Sequence, residues 1–315
     1  MRKKIALIGG GNIGGTIAYI LASKQIADVV ILDRNEGFAK GKALDIEQSL
    51  SVTKNDISVI GTSDYADIDN ADLIIITAGI ARKPGMSRDD LLGVNADVMK
   101  SVAEGVKAHA PNAFVIIVTN PLDAMVYAFL KHSNFSKEKV AGMAGVLDSA
   151  RFKLFLSKKL NVSVEDINAF VLGGHGDTMV PLTRHINIAG IPIQNFIDNG
   201  DISEEELNSI IERTKTGGAE IVKLLATGSA YYAPAISAIE MAESYLYDKK
   251  KLLPCSVLLE GEYGINDICM GVPVIIGKQG IEKIRELHFN EEEKSVFDKS
   301  AKAVQDLILA MKKKL

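Results

Sequence analysis

The amino-acid sequence predicts an α/β protein: a doubly wound parallel sheet over residues 1–145, then a mixed α+β region over residues 146–315. Three observations carry this. Short continuous apolar runs alternate with helical stretches through the first half, as parallel strands covered on both faces require. The first run, Ile5-Ala6-Leu7-Ile8, breaks into Gly9-Gly10-Gly11-Asn12-Ile13-Gly14-Gly15 and resumes as a helical pattern. From about residue 146 the pattern changes to longer helices followed by clustered strands.

Gly9, Gly11 and Gly14 fall on the G-x-G-x-x-G spacing. In that spacing the first glycine permits a tight turn, the second lets the backbone approach a pyrophosphate, and the third lets the helix pack close to the strand. Free amides at the helix N-terminus then face the phosphates. Taken alone, such a turn also occurs as a plain structural joint. A second apolar run, Val29-Val30-Ile31-Leu32, ends in Asp33, 19 residues past Gly14. That is near the ~20-residue offset at which an acid holds the adenosine ribose hydroxyls. A carboxylate there repels a 2′-phosphate, so the sheet is expected to be Rossmann-type and the cofactor NAD rather than NADP. Arg34 beside it reads as a solvated charge opening a helix.

Asn35 to Leu50 has helical composition, and Ile57 to Ile60 makes a short strand. Asp72 to Thr77 is a continuous apolar run. Helical residues from Asp89 to His109 lead to the run Ala113 to Val118, which ends at Thr119-Asn120-Pro121. Beyond residue 146, Val257-Leu258-Leu259, Ile268-Cys269-Met270 and Val272 to Gly277 read as a small antiparallel sheet. Glu291 to Lys314 reads as a helix with Val296, Phe297, Ala301, Val304, Ile308 and Met311 along one stripe, acids in its first turn and lysines in its last. With no repeat, low-complexity tract or flexible linker, the two domains are expected to share an extensive interface.

Composition excludes several classes. A net charge of −4 and a pI near 5.8 provide no basic face for nucleic acid. The two cysteines, Cys255 and Cys269, lie too far apart for a C-x-x-C motif and in apolar surroundings, which suits reduced, buried thiols in a cytosolic protein. Met1-Arg2-Lys3-Lys4 precedes an apolar run too short for an export signal, and no stretch approaches the ~18 residues that span a membrane. A cytoplasmic location is expected. No His/Cys cluster has metal-ligand spacing.

Candidate chemistry sits in three further stretches. In Leu172-Gly173-Gly174-His175-Gly176-Asp177, His175 is flanked by glycines that let a ligand approach, a setting suited to a general acid/base near neutral pH. His109, His132, His185 and His288 sit among helical or strand residues and read as surface or packing positions. Asp148 and Arg151 open a helix as i,i+3 neighbours, which by itself describes a surface ion pair equally well. Ala78 to Arg88 carries two glycines, a proline and three cations just past a strand. There Lys83 reads as a solvated charge, whereas Arg82 and Arg88 suit bidentate capture of carboxylates and point to an anionic substrate.

Together, Gly9-x-Gly11-x-x-Gly14, Asp33, Arg82 to Arg88, Thr119-Asn120-Pro121, Leu147 to Arg151 and Gly173 to Asp177 resemble the lactate/malate dehydrogenase family in its lactate-dehydrogenase-like branch. The motifs arrive in family order from residue 5 to beyond residue 230. The resemblance implies that His175 is the proton donor and acceptor, with Asp148 accepting a hydrogen bond from its imidazole. It implies that Arg151 clamps one substrate carboxylate, Arg88 polarises the keto oxygen and Asn120 hydrogen-bonds the substrate and the nicotinamide side, with Asn120-Pro121 cis. Gly9, Gly10, Gly11, Asn12, Ile13, Gly14, Asp33, Asn95, Val118, Thr119 and Asn120 would meet the cofactor. Lactate enzymes of the family carry glutamine where this chain has Arg82. Arg82 can pair a second carboxylate, and Gly228-Ser229-Ala230 leaves room for a longer acid.

The implied reaction is reversible oxidation of (S)-malate to oxaloacetate with NAD, with closure of residues 80–92 over the substrate and no metal. The nearest alternative is a lactate or other 2-hydroxyacid dehydrogenase with the same machinery. A non-catalytic NAD-binding sensor or scaffold would need a broken catalytic set, yet His175, Asp148 and Arg151 are all present. Family members form dimers or tetramers, and Ser149 to Leu160 and Thr214 to Asp248 are candidate interface helices.

Overall fold

The computed structural model describes residues 2–80 and 88–313, with the backbone alone for Arg88 and Asp89. Strands β1 (Lys4–Ile8), β2 (Asp28–Leu32), β3 (Val59–Thr62), β4 (Leu73–Ile76), β5 (Phe114–Ile117) and β6 (Val140–Gly142) alternate with helices α1 (Asn12–Ser23), α2 (Glu36–Val52), α3 (Arg88–His109) and α4 (Leu122–Ser133). The strands pair in parallel in the order β3-β2-β1-β4-β5-β6. This is the doubly wound arrangement, whose strand order reverses between β1 and β4 and opens a crevice at their carboxyl ends. Every residue of β4 and β5 is buried, because helices cover both faces.

Helix α5 (Gly145–Leu160) follows β6. The short strands β7 (Ile167–Asn168), β8 (Val171–Leu172), β9 (Val180–Pro181), β10 (Asn187–Ile188) and β11 (Ile191–Pro192) come next, then helices α6 (Ile193–Asp198), α7 (Glu204–Leu225) and α8 (Tyr232–Leu246). The chain closes with β12 (Lys251–Glu260), β13 (Asn266–Gly277), β14 (Gly280–Ile284) and α9 (Glu291–Lys312).

The C-terminal strands correct the expectation of a separate small sheet. They are antiparallel, but they extend the main sheet, which runs β14-β13-β12-β6-β5-β4-β1-β2-β3 among the described residues. The join is Ser256 of β12 against Gly142 of β6. A Cβ at Gly142 would lie 2.6 Å from Val126 Cγ2 and 2.9 Å from the Ser256 Cβ, so the missing side chain permits the approach. β12 and β13 also run through Pro254 and Pro273, which face each other across the ladder. The expected pieces Ile268-Cys269-Met270 and Val272 to Gly277, the second already containing Pro273, are one strand that runs on through Gly271.

On α9, Phe297, Ala301, Val304, Ile308 and Met311 are buried as expected, whereas Val296 is 40 % exposed. The i, i+4, i+7 rows that start at Phe297 leave position 296 one step, about 100°, around the helix. Cys255 and Cys269 are free and buried, and burial pushes both thiols well above their usual range. Among the described residues no helix is long and apolar enough to cross a membrane.

Candidate active site

The glycine turn is built around main-chain contacts. Gly9 adopts φ +109°, and a Cβ on Gly14 would stand 2.0 Å from the Gly9 carbonyl oxygen, so α1 can only lie this close to β1 if position 14 lacks a side chain. Around Gly11, by contrast, a Cβ would meet nothing within 4 Å. Helix α1 starts at Asn12 with no side-chain cap and no acid in its first turn, and Asn12 and Gly11 are exposed. The first amides of α1 therefore face open space, which fits a pyrophosphate laid across Gly11, Asn12 and Ile13.

Asp33 closes the other side. Its Oδ2 accepts from the Gly10 N–H at 2.8 Å and its Oδ1 from the Asn35 N–H at 3.0 Å, which fixes the carboxylate at the carboxyl end of β2. Each oxygen keeps a further lone pair for a ribose hydroxyl. Arg34 is exposed.

The ends of β1, β4 and β5 are tied together at the switch point. Thr77 Oγ1 donates to the Gly9 carbonyl at 3.0 Å, and Thr119 Oγ1 donates to the Ala78 carbonyl at 2.7 Å. Val118 is buried beside them, its N–H donating to the Ile76 carbonyl at 2.8 Å. Asn95, 1 % exposed on α3, accepts from the Ile80 N–H at 2.8 Å and donates through Nδ2 to the carbonyls of Ile80, at 3.1 Å, and Asn120, at 2.6 Å. Its amide is thus committed to the protein's own backbone, and it sets the spacing between two loops around the crevice. The Asn120-Pro121 bond is cis, and the Asn120 side chain is exposed at the mouth of the crevice. Arg82 lies outside the described residues, as does the side chain of Arg88.

His175 follows β8. Its Nδ1 lies 2.8 Å from Asp148 Oδ2, and Arg151 Nη1 donates to Asp148 Oδ1 at 3.1 Å. The carboxylate can only accept, so Nδ1 carries the hydrogen and Nε2 is left to exchange a proton with a ligand. Asp148 is buried and the His175 side chain is 15 % exposed. Burial pulls the imidazole pKa down, the adjacent Asp148 pushes it up, and the net displacement is upward from 6.5. The Asp148–Arg151 contact is therefore a buried pair rather than the solvated one its spacing also allowed.

Two features were not anticipated from sequence. Asp123, in the first turn of α4 and three residues past Asn120, accepts from the His175 main-chain N–H at 2.8 Å. It thereby brings the histidine loop to the carboxyl end of β5. Arg151 lies against Gly217 and Gly218 of α7, where added Cβ atoms would come 3.2 Å from its Cδ and 3.7 Å from its Nη2. A Gly-Gly pair inside a helix costs about 1 kcal/mol per glycine relative to alanine, and that local cost was the available signal. The remaining histidines lie elsewhere: His109 pairs with Asp69 at 2.8 Å, and His288 is exposed.

Comparison with known proteins matches both halves. Residues 3–142 fit the lactate/malate dehydrogenase, NAD binding domain, and residues 145–314 fit the lactate/malate dehydrogenase, alpha/beta C-terminal domain. The chain belongs to the lactate/malate dehydrogenase family. It is 58 % identical over 311 residues to a malate dehydrogenase of Caulobacter vibrioides, covering 99 % of this chain and 97 % of that one. The crystal structure of Cryptosporidium parvum malate dehydrogenase is similar at a TM-score of 0.97 and 49 % identity, covering 99 % of this chain and all of that one. A lactate dehydrogenase from the same organism, complexed with lactic acid and b-nicotinamide adenine dinucleotide, is similar at 0.96 and 47 %, covering 99 % and 98 %. Lactate and malate enzymes thus share this fold almost equally well, and substrate choice has to come from individual side chains.

Proposed function

We propose that the chain is an NAD-dependent malate dehydrogenase that interconverts (S)-malate and oxaloacetate. The observation that carries the chemistry is the buried Asp148 carboxylate, which joins His175 to Arg151 and so couples the proton-exchanging ring to a group suited to a substrate carboxylate. The proposed division of labour has residues 1–145 holding the cofactor and residues 146–315 supplying His175, Asp148 and Arg151.

NAD, when bound, supplies the hydride acceptor for C2 of malate. Gly9, Gly10, Gly11, Asn12, Ile13 and Gly14 hold its pyrophosphate and Asp33 its ribose, with Asn95 as a backbone clamp and Val118, Thr119 and Asn120 lining the nicotinamide side. His175 Nε2 takes the hydroxyl proton during oxidation and returns it during reduction, while Asp148 stabilises the imidazolium in between. Arg151 pairs the C1 carboxylate, Asn120 hydrogen-bonds the substrate, and Arg88 polarises the keto oxygen. Arg82 meets the second carboxylate. Pyruvate would leave that guanidinium desolvated and unpaired, a mismatch that can discriminate by ~10⁴-fold. The similarity to malate dehydrogenases at 58 % identity supports the same choice. Cytoplasmic operation as a homodimer or homotetramer belongs to this reading, and sedimentation of the purified chain measures its assembly state.

The deciding experiment follows NADH oxidation with oxaloacetate, with pyruvate as competing substrate and NADPH as competing cofactor. Higher kcat/KM for oxaloacetate with NADH is expected. Faster turnover of pyruvate would overturn the substrate assignment, and inactivity with every 2-keto acid would overturn the enzyme.

A further inference from the structure

Asp123 is a buried carboxylate that the reaction as described does not use. It sits in the first turn of α4, 3 % exposed, and both of its oxygens are engaged. Oδ2 accepts from the His175 N–H at 2.8 Å, and Oδ1 accepts from Ser256 Oγ at 2.7 Å, itself fully buried on β12. The two preceding amides of the same loop are fastened by other elements. Gly173 exchanges main-chain hydrogen bonds with Gly271 of β13, and the Gly174 N–H donates to Ser300 Oγ of α9 at 2.9 Å. Three consecutive amides leading into the imidazole are therefore each held from a different part of the molecule. Asp123 supplies the last hold, on the histidine itself, and is the one charged group of the three.

A main-chain N–H offers only a hydrogen, so the oxygen facing it must accept. The serine hydroxyl can satisfy the other oxygen in the same way, and the two donors together suit an ionised carboxylate. We propose that Asp123 is a second positioning carboxylate for His175, holding its main chain while placing a fixed negative charge beside the residue that favours the proton-bearing form. Asp148 acts on Nδ1 from α5, and Asp123 acts on the backbone from α4. Among the described residues, the charged groups around His175 are these two carboxylates, Arg151 on α5 and the exposed Asp177 of its own loop. Ser256 and Ser300 are uncharged, and the Cys269 thiol near Asp123 is held neutral by burial. On balance the pKa of Asp123 is raised from its ordinary value, burial outweighing the Ser256 and His175 hydrogen bonds that hold it down, so its charge depends on Ser256 and His175 remaining in place.

This inference rests on the reading of His175 as the acid/base group. The test measures kcat and kcat/KM for oxaloacetate reduction from pH 5 to 10 in the full-length enzyme and in Asp123→Asn and Asp123→Ala, with NADH binding by fluorescence in each. Asparagine is isosteric: its Oδ1 can accept from the His175 N–H and its Nδ2 can donate to Ser256 Oγ, so the position is kept and the charge deleted. The basic limb that reports the imidazolium is expected to move to lower pH by about one unit, a tenfold change in proton affinity. Alanine deletes the acceptor, and kcat is expected to fall about 10²-fold across the pH range, as for other losses of catalytic alignment. A limb in Asp123→Asn that stays where the wild type has it overturns the fixed charge, because a purely structural residue would change rate without moving it. An unchanged kcat in Asp123→Ala overturns the positioning role. Should the alanine variant fail to bind NADH, the asparagine variant decides the proposal alone. A wild-type profile with no such limb would instead remove the reading of His175.

Discussion

Asp148→Asn keeps the size of the side chain that faces His175 Nδ1 and deletes its charge. Two unit charges ~4 Å apart at an effective dielectric of ~20 attract by about 4 kcal/mol, which corresponds to roughly three pKa units on the imidazole. Arg151 shares the carboxylate at 3.1 Å and the ring is partly exposed, so we take about two units as the working figure. The sign follows from the raised value in the folded protein: losing Asp148 lets the pKa fall below 6.5, and the imidazolium required for oxaloacetate reduction is depleted at neutral pH. The amide can also donate to Nδ1, which places the hydrogen on Nε2 and removes the base needed for malate oxidation. Together these lower kcat/KM at pH 7 by about 10²- to 10³-fold in both directions. The assay is steady-state NADH turnover over pH 5 to 9, with NADH binding by fluorescence as a check on folding. A limb that does not shift, with activity near that of the wild type, would refute the coupling of His175 to Asp148.

Arg82→Gln is expected to lower kcat/KM for oxaloacetate by about 10²-fold or more and to raise it for pyruvate, read from paired substrate titrations. Unchanged selectivity for the diacid would sink Arg82 as the determinant. Gly14→Ala places a Cβ 2.0 Å from the Gly9 carbonyl oxygen, a clash with main chain that no rotamer relieves. It should cost about 3 kcal/mol of stability and abolish NADH binding, measured by thermal melting and fluorescence quenching. Gly217→Ala gains about 1 kcal/mol of helix propensity while crowding Arg151. With the new Cβ 3.2 Å from Arg151 Cδ, the KM for oxaloacetate should rise severalfold with NADH affinity intact; an unaltered KM would show that α7 does not shape the arginine.

The sequence by itself determined what depends on neighbours along the chain. Buried parallel strands reveal themselves as short apolar runs, the glycine turn by its spacing, and Asp33 by its offset from Gly14. His175 stood out by its flanking glycines, whereas the spacing of Asp148 and Arg151 described a surface ion pair equally well and only the resemblance to the family singled them out. What only the tertiary structure decided are pairings across long stretches of chain. Ser256 meets Asp123 from 133 residues away, Ser300 meets Gly174 from 126, and Asp123 meets His175 from 52. The same holds for the joining of β12 to β6, which turned an expected separate sheet into a continuation of the first, and for Asn95, whose amide closes on Ile80 and Asn120. Hydrophobic periodicity and turn chemistry act over a few residues, whereas the partner of a buried polar group is chosen by which elements pack together and which donor is left without water.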